Sequence, residues 1–132
     1  MKLKYLGQDV RTPQGELDTF PTPEGGLEMV ELESDEVTAL CPVTGQPDWY
    51  TVNIHYRPRD LCLESKSFKL YLWQFREKGL FCETFSRQVF NDLMAALNPR
   101  SLFVTIKMKP RGGVSLESNV CKYDSELGGI DE

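Results

Sequence analysis

The sequence predicts an α+β domain: an antiparallel sheet with two helices against one face. Three observations lead there. Several short stretches alternate apolar and polar residues at the strand period, and two central stretches have helical length and spacing. Their order is strand, strand, helix, helix, strand, strand, which gives four strands and leaves no parallel crossover to build. At 132 residues the chain is one domain by length.

Residues 1–26, with "RTPQGELDTFPTPEGG", are expected to form an irregular arm that orders only against the rest of the protein or a neighbour, and 27–132 to form the single domain. "LEMVELES" (27–34) is a short strand. Between Trp49 and Arg57, Val52, Ile54 and Tyr56 alternate with Thr51, Asn53 and His55, as in a half-buried strand. "ESKSFKLYLWQFRE" (64–77) is a helix opened by acidic and hydroxyl residues. From Phe81 to Leu97, the apolar residues Phe85, Val89, Leu93 and Leu97 recur every four positions, widened by Phe90 and Met94, and "NPR" ends the helix. Leu102, Val104, Ile106 and Met108 mark the next strand. "KPRGG" turns it into the last one, begun by Val114, Leu116 and Ser118. An open sheet this small has unpaired edges, so an oligomer is expected.

The chain is 40% hydrophobic and 27% charged, with a net charge of -5. This suits a globular fold and speaks against a disordered chain or a generic nucleic-acid binder. Without a long apolar run or an apolar leader, it reads as cytoplasmic. Cys41, Cys62, Cys82 and Cys121 lie about twenty residues apart with no C-x-x-C pair, and His55 is the sole histidine. No metal site and no disulfide are expected from that spacing. Cys62 and Cys121 are expected to be small buried hydrophobes.

Cys41 heads "CPVTGQPD", in which two prolines stiffen the backbone, Gly45 permits a sharp bend and Asp48 follows at fixed reach. A thiol beside polar backbone can lose its proton and act as a nucleophile, with Asp48 as proton donor to whatever it attacks. A buried cysteine before an ordinary turn fits the residues as well. The Gly-x-Gly-x-x-Gly and phosphate-loop motifs are absent, so a dinucleotide would need another cradle. Lys66, Lys69 and Arg111 could meet phosphates, and Gly112 and Gly113 allow close backbone approach. Solvated charges and a hairpin glycine pair read equally well. Glu64 and Glu83 are carboxylates that could grip the ring N–H and amino group of a guanine-like base; Glu83 also suits a helix first turn.

"CPVTGQPD" at 41–48, "ESKSFKLY" at 64–71, "GLFCETFSRQVFNDL" from Gly79 and "KPRGGVSLES" from Lys109 together resemble the NADPH-dependent 7-cyano-7-deazaguanine reductases, the nitrile reductases of queuosine biosynthesis. The resemblance runs in order from about residue 28 to 123 and is to the short, single-module form. It implies a tunnelling fold whose sheets join into pentameric barrels that stack into decamers. It further implies Cys41 as nucleophile and Asp48 as general acid, with the base contacted by Leu63, Glu64, Ser65 and Glu83. NADPH would meet Ser65, Lys66, Arg111 and Gly112 across a subunit boundary. At Cys82, in the substrate pocket, the family normally has histidine. The substitution leaves four outcomes open: a slower second half-reaction, proton traffic through water, altered chemistry, or a neutral change in a pocket wall. Two other readings stand beside this one. Related archaeal amidinotransferases add ammonia to the nitrile carried on tRNA without NADPH, although "ESKSFK", "PRGG" and the acidic charge argue against that. A non-catalytic deazapurine binder of the same fold is the second.

Overall fold

The structure is a computed structural model that describes residues 3, 4, 6 and 15–125. The expected arm over 1–26 and the end of the expected 27–132 domain therefore lie partly outside the described residues. Element order is β1 (Thr19–Pro21), β2 (Val30–Leu40), β3 (Pro47–Arg57), β4 (Leu61–Leu63), α1 (Ser65–Trp73), a 3-10 turn (Gln74–Glu77), α2 (Cys82–Leu97), β5 (Ser101–Arg111) and β6 (Val114–Lys122).

The expected sheet is present: β2-β3-β5-β6, antiparallel throughout, with β2 and β6 as its edges. Both helices cover one face. From that face Tyr50, Val52, Ile54 and Tyr56 of β3 and Leu102, Val104 and Ile106 of β5 meet Phe85, Val89, Leu93 and Leu97 of α2. This is the period-2 alternation meeting the four-residue stripe. Phe75 follows α1 and packs on Phe85, and Tyr71 Oη donates to Asp92 Oδ2, tying the helices together. Asn98 ends α2 in the left-handed conformation (φ 44°), its N–H bonded to the Met94 carbonyl. The opposite face is more polar. Asn53 donates to Glu31 and Glu33, Thr105 to Asn119, and His55 stacks on Phe103 with ring centroids 4.7 Å apart. Cys62 is buried as expected. Cys121 is not: it sits exposed opposite Phe103, because the last strand turns that position to the outer face.

Two three-residue strands went unforeseen. Thr19–Pro21, inside the expected arm, pairs with Leu61–Leu63. Asp18 is fixed beside it, its carbonyl accepting from Glu64 N at 2.9 Å and its N–H donating to Ser67 Oγ at 2.9 Å. The arm segment orders against the domain through these bonds.

The sheet also bulges twice. Between Ser34 and Val37 the first strand spends one residue more than its partner, and the third does the same between Met108 and Arg111. Each extra residue shifts side-chain parity by one. Beyond the β2 bulge, Val37, Ala39 and then Cys41 carry the inward parity. Without it, Cys41 would fall on the outer one. Likewise Arg111, which would otherwise point outward after inward Met108, is turned to the helix-bearing side.

Candidate active site

Cys41 follows the last residue of β2. Its loop closes on itself: Cys41 N donates to Gln46 O at 2.7 Å, and Gly45 N to Cys41 O at 2.9 Å, with Gly45 at φ 74°. Leu40 just before it is clamped from the other side, donating to Lys78 O at 2.8 Å and accepting from Leu80 N at 3.0 Å. The segment leading into α2 is thereby tied to the Cys41 loop. Within the loop, Thr44 Oγ1 accepts from Gln46 N at 3.3 Å, leaving its proton for the sulfur. The Thr44 hydroxyl, then the Thr44 and Val43 backbone N–H groups, hold the thiol down at about 7, against the pull of desolvation. Cys41 is thus more readily ionised near neutrality than a free thiol.

Asp48 lies two positions before Tyr50 on the inward face of β3 and is 4% exposed. Arg111, aimed inward by the β5 bulge, forms an ion pair with its carboxylate and also reaches the Cys41 sulfur. One guanidinium therefore spans the thiol and the acid. Arg111 stands at the end of a two-residue hairpin in which Gly112 (φ 59°) and Gly113 (φ 78°) both adopt positive φ, as such a turn demands. An added Cβ at either glycine would meet open space, so the backbone there is free for a ligand to approach.

Cys82 begins α2, buried beneath the same corner. Its Sγ lies 3.4 Å from Ile106 O and 3.4 Å from Ser118 Oγ, and Ser118 Oγ in turn donates to Cys82 O and lies 2.9 Å from Ser86 Oγ. Burial, the largest influence, pushes the thiol up, so it stays protonated near neutrality. Glu83 beside it is exposed.

The remaining expected site residues gather elsewhere. Leu63 N donates to Tyr56 Oη at 2.8 Å, which places the start of α1 at the far end of β3 from Asp48. Six residues of strand separate Tyr50 from Tyr56, on the order of 20 Å. Glu64 is buried there, and its two carboxylate oxygens cap α1 by accepting from Lys66 N and Ser67 N, both at 2.8 Å. Ser65 and Lys69, with Arg76, line a groove of about 830 Å³ between β2 and α1. The groove reaches Leu40 and Pro47 on the flanks of the Cys41 loop, and Glu33, Glu36 and Glu77 lie on its walls. Within one chain the fold thus joins Cys41, Asp48, Arg111 and Cys82. It leaves Leu63, Glu64, Ser65 and Lys66 at a distance.

Thr44 and Tyr50 are the neighbours that the residue pattern alone did not single out. Tyr50 could have been found, since Asp48, Tyr50 and Val52 continue the same alternation. Thr44 offered no periodic signal.

A profile of the family described as QueF-like protein matches residues 47–126, from Asp48's strand through the last one; Cys41 lies just ahead of it. The chain is 44% identical over 104 residues to the NADPH-dependent 7-cyano-7-deazaguanine reductase of Thiobacillus denitrificans, covering 78% of this chain and 75% of that protein. It is 43% identical over 119 residues to the enzyme of the same name from Frankia casuarinae, covering 90% and 94%. Among solved structures, that of the archaeosine synthase QueF-Like in the apo form superposes with a TM-score of 0.70 at 25% identity, covering 80% of this chain and 98% of that one.

Proposed function

Because the chain belongs to the QueF-like protein family, we propose that it reduces the nitrile of 7-cyano-7-deazaguanine to the amine, 7-aminomethyl-7-deazaguanine, in queuosine biosynthesis in the cytoplasm. The observation that carries this is a thiol held near neutrality and spanned by one arginine to a buried carboxyl group.

Cys41 adds its sulfur to the nitrile carbon while Asp48 protonates the nitrogen, giving a covalent thioimide. A nitrile is a modest electrophile, so the proton must arrive as charge develops on nitrogen. Arg111 covers both groups in the free chain and swings aside for the substrate. When bound, NADPH would supply hydride for reduction of the carbon held at Cys41. Ser65, Lys66, Arg111 and Gly112 would hold NADPH. The open backbone at Gly112 and Gly113 and the hydroxyl and cations of Ser65, Lys69 and Arg76 in the groove fit a phosphate-bearing ligand. Cys82, protonated and bonded to Ile106 and Ser118, forms a pocket wall and leaves proton traffic to Asp48 and water.

Leu63, Glu64 and Ser65 contact the base, with Glu83 accepting from its amidine-like edge. Glu83 is exposed in one chain, yet such a hydrogen bond needs a desolvated carboxylate, and the start of α1 lies by Tyr56, on the order of 20 Å along β3 from Tyr50. Both features point to a site completed by a second copy. Exposed apolar side chains flank the site in sequence: Val43 (79%), Phe81 (57%) and Val114 (65%). The proposal therefore includes a homo-oligomer with shared sites, the pentameric or decameric barrels that the family resemblance implies. Closing the site between copies also excludes water, which would hydrolyse the imine.

The likeness to an archaeosine synthase keeps a second reading in view, addition of ammonia to the nitrile on tRNA. Free nitrile base with NADPH separates the two. The proposal expects loss of reduced-nicotinamide absorbance and appearance of the amine, both abolished in Cys41→Ala. No cofactor consumption, with ammonia incorporated into tRNA, would replace it by the second.

A further inference from the structure

Tyr50 carries the one buried side-chain oxygen or nitrogen among the described residues that has no hydrogen-bond partner. The residue is 1% exposed, and its ring is fixed by an edge-on contact with Phe85, centroids 5.4 Å apart at 86°. Phenylalanine would make the same ring contact without stranding a hydroxyl, so packing alone gives no reason for tyrosine. The position is also singular in the sheet. Tyr50 pairs with Val37 and Met108, the residues at which the two bulges begin or end, so it sits where Cys41 and Arg111 are turned inward.

The charged and ionisable groups around the hydroxyl are those of the site. Asp48 on the same strand face acts most strongly, followed by Cys82 from α2 and Cys41 from the loop, with Arg111 from β5 opposing them. Burial first, and then the Asp48 carboxylate, push the phenol above its ordinary range, so it keeps its proton and has one to donate near neutrality. Of these neighbours, Cys82 already has Ile106 O and Ser118 Oγ as partners. The Asp48 carboxylate has Arg111, and Arg111 must leave when substrate enters.

We infer that Tyr50 is a positioning residue for Asp48, its hydroxyl taking over the carboxylate that Arg111 releases. This rests on the thioimide chemistry proposed above. In that step the carboxylate released by Arg111 takes the Cys41 thiol proton, the sulfur bonds to the nitrile carbon, one π pair of the C≡N bond takes that proton from Asp48 on nitrogen, and Asp48 is left as the carboxylate again. No oxidant or reductant takes part. A donor on the same strand face as the carboxylate, with no other acceptor engaged in the free chain, is available to stabilise it. The orphaned hydroxyl of the free chain is then the donor waiting for that charge.

Tyr50→Phe tests this. Three quantities are followed in the full-length protein: thioimide formation by intact mass with the nitrile alone, alkylation of Cys41 by iodoacetamide, and steady-state reduction. Alkylation needs thiolate but no acid. Thioimide formation and kcat should fall about tenfold, while alkylation, KM for the nitrile and the unfolding temperature hold. In an Asp48→Asn background, Tyr50→Phe should cost nothing further, since the two groups act as a unit. Equal thioimide rates in Tyr50→Phe and the unmodified chain would overturn the inference alone, as would a full additional loss in the Asp48→Asn background. Absence of any adduct in the unmodified chain would overturn the proposed chemistry and this inference with it.

Discussion

The Cys41 thiol is held down chiefly by two residues of its own loop, Thr44 and Val43. Thr44 contributes most, through its hydroxyl and its N–H, and Arg111 adds a smaller push from across the sheet. The sign for pH follows. Thiolate, the reactive form, accumulates as pH rises through about 7, so alkylation should climb with pH below that point and level off above it. Thr44→Val removes the largest stabilising contact, and the midpoint for Cys41 should move up toward ~8.5, the free thiol value. Peptide-resolved mass spectrometry checks this while keeping exposed Cys121 separate; an unmoved midpoint would contradict it. At this scale the sequence was informative where spacing carried meaning. Cys41 and Asp48 could be paired from "CPVTGQPD" because the prolines and glycine limit how far the chain can wander. Thr44 could not, because a hydroxyl acting on its own loop leaves no pattern. Tyr50 was hidden as one more aromatic in a strand.

Secondary-structure elements were legible where they were long enough to show a period. The four-residue stripe of α2 and the alternation of β3 and β5 correspond closely to what is observed. Three-residue strands cannot show a period, so Thr19–Pro21 and Leu61–Leu63 escaped notice, and the strand read over 27–34 in fact runs from Val30 to Leu40. The bulges were the costliest omission, because they decide which face Cys41 and Arg111 occupy. Their traces were present: the polar "SDE" in β2 and Pro110 in β5, a residue that strands tolerate at edges and bulges. Deleting Lys109 removes the extra residue from β5 and should return the Arg111 side chain to the outer face. We expect nitrile reduction to drop by at least roughly a hundredfold with the circular-dichroism spectrum kept. Lys109→Ala, which preserves the bulge, should stay near the unmodified rate. Retained activity in the deletion would show that the bulge does not aim the arginine.

For the molecule as a whole, the separation of the nucleophile corner from the start of α1 matters most. The groove along β2 joins the two ends but does not bring Glu64 or Ser65 to the sulfur. The open edges at β2 and β6 add a second reason for assembly. The open edges were legible from the small number of strands, but the separation was not, since a sequence alone does not show which motifs meet in one chain and which meet between two. Complementation tests the shared site. Cys41→Ala and Glu64→Gln, each inactive alone, should regain activity when unfolded and refolded together, since a Glu64→Gln chain still offers Cys41 to a neighbour's Glu64. Native mass spectrometry should show mixed assemblies in the same sample. A mixture that assembles yet stays inactive would place the whole site within one chain.

The most direct measurement is an intact-mass spectrum of the protein mixed with 7-cyano-7-deazaguanine and no cofactor. The account predicts a gain equal to the mass of the nitrile, mapped to Cys41, lost in Cys41→Ala and slowed in Asp48→Asn. An unchanged mass, or a gain that survives Cys41→Ala, would contradict it.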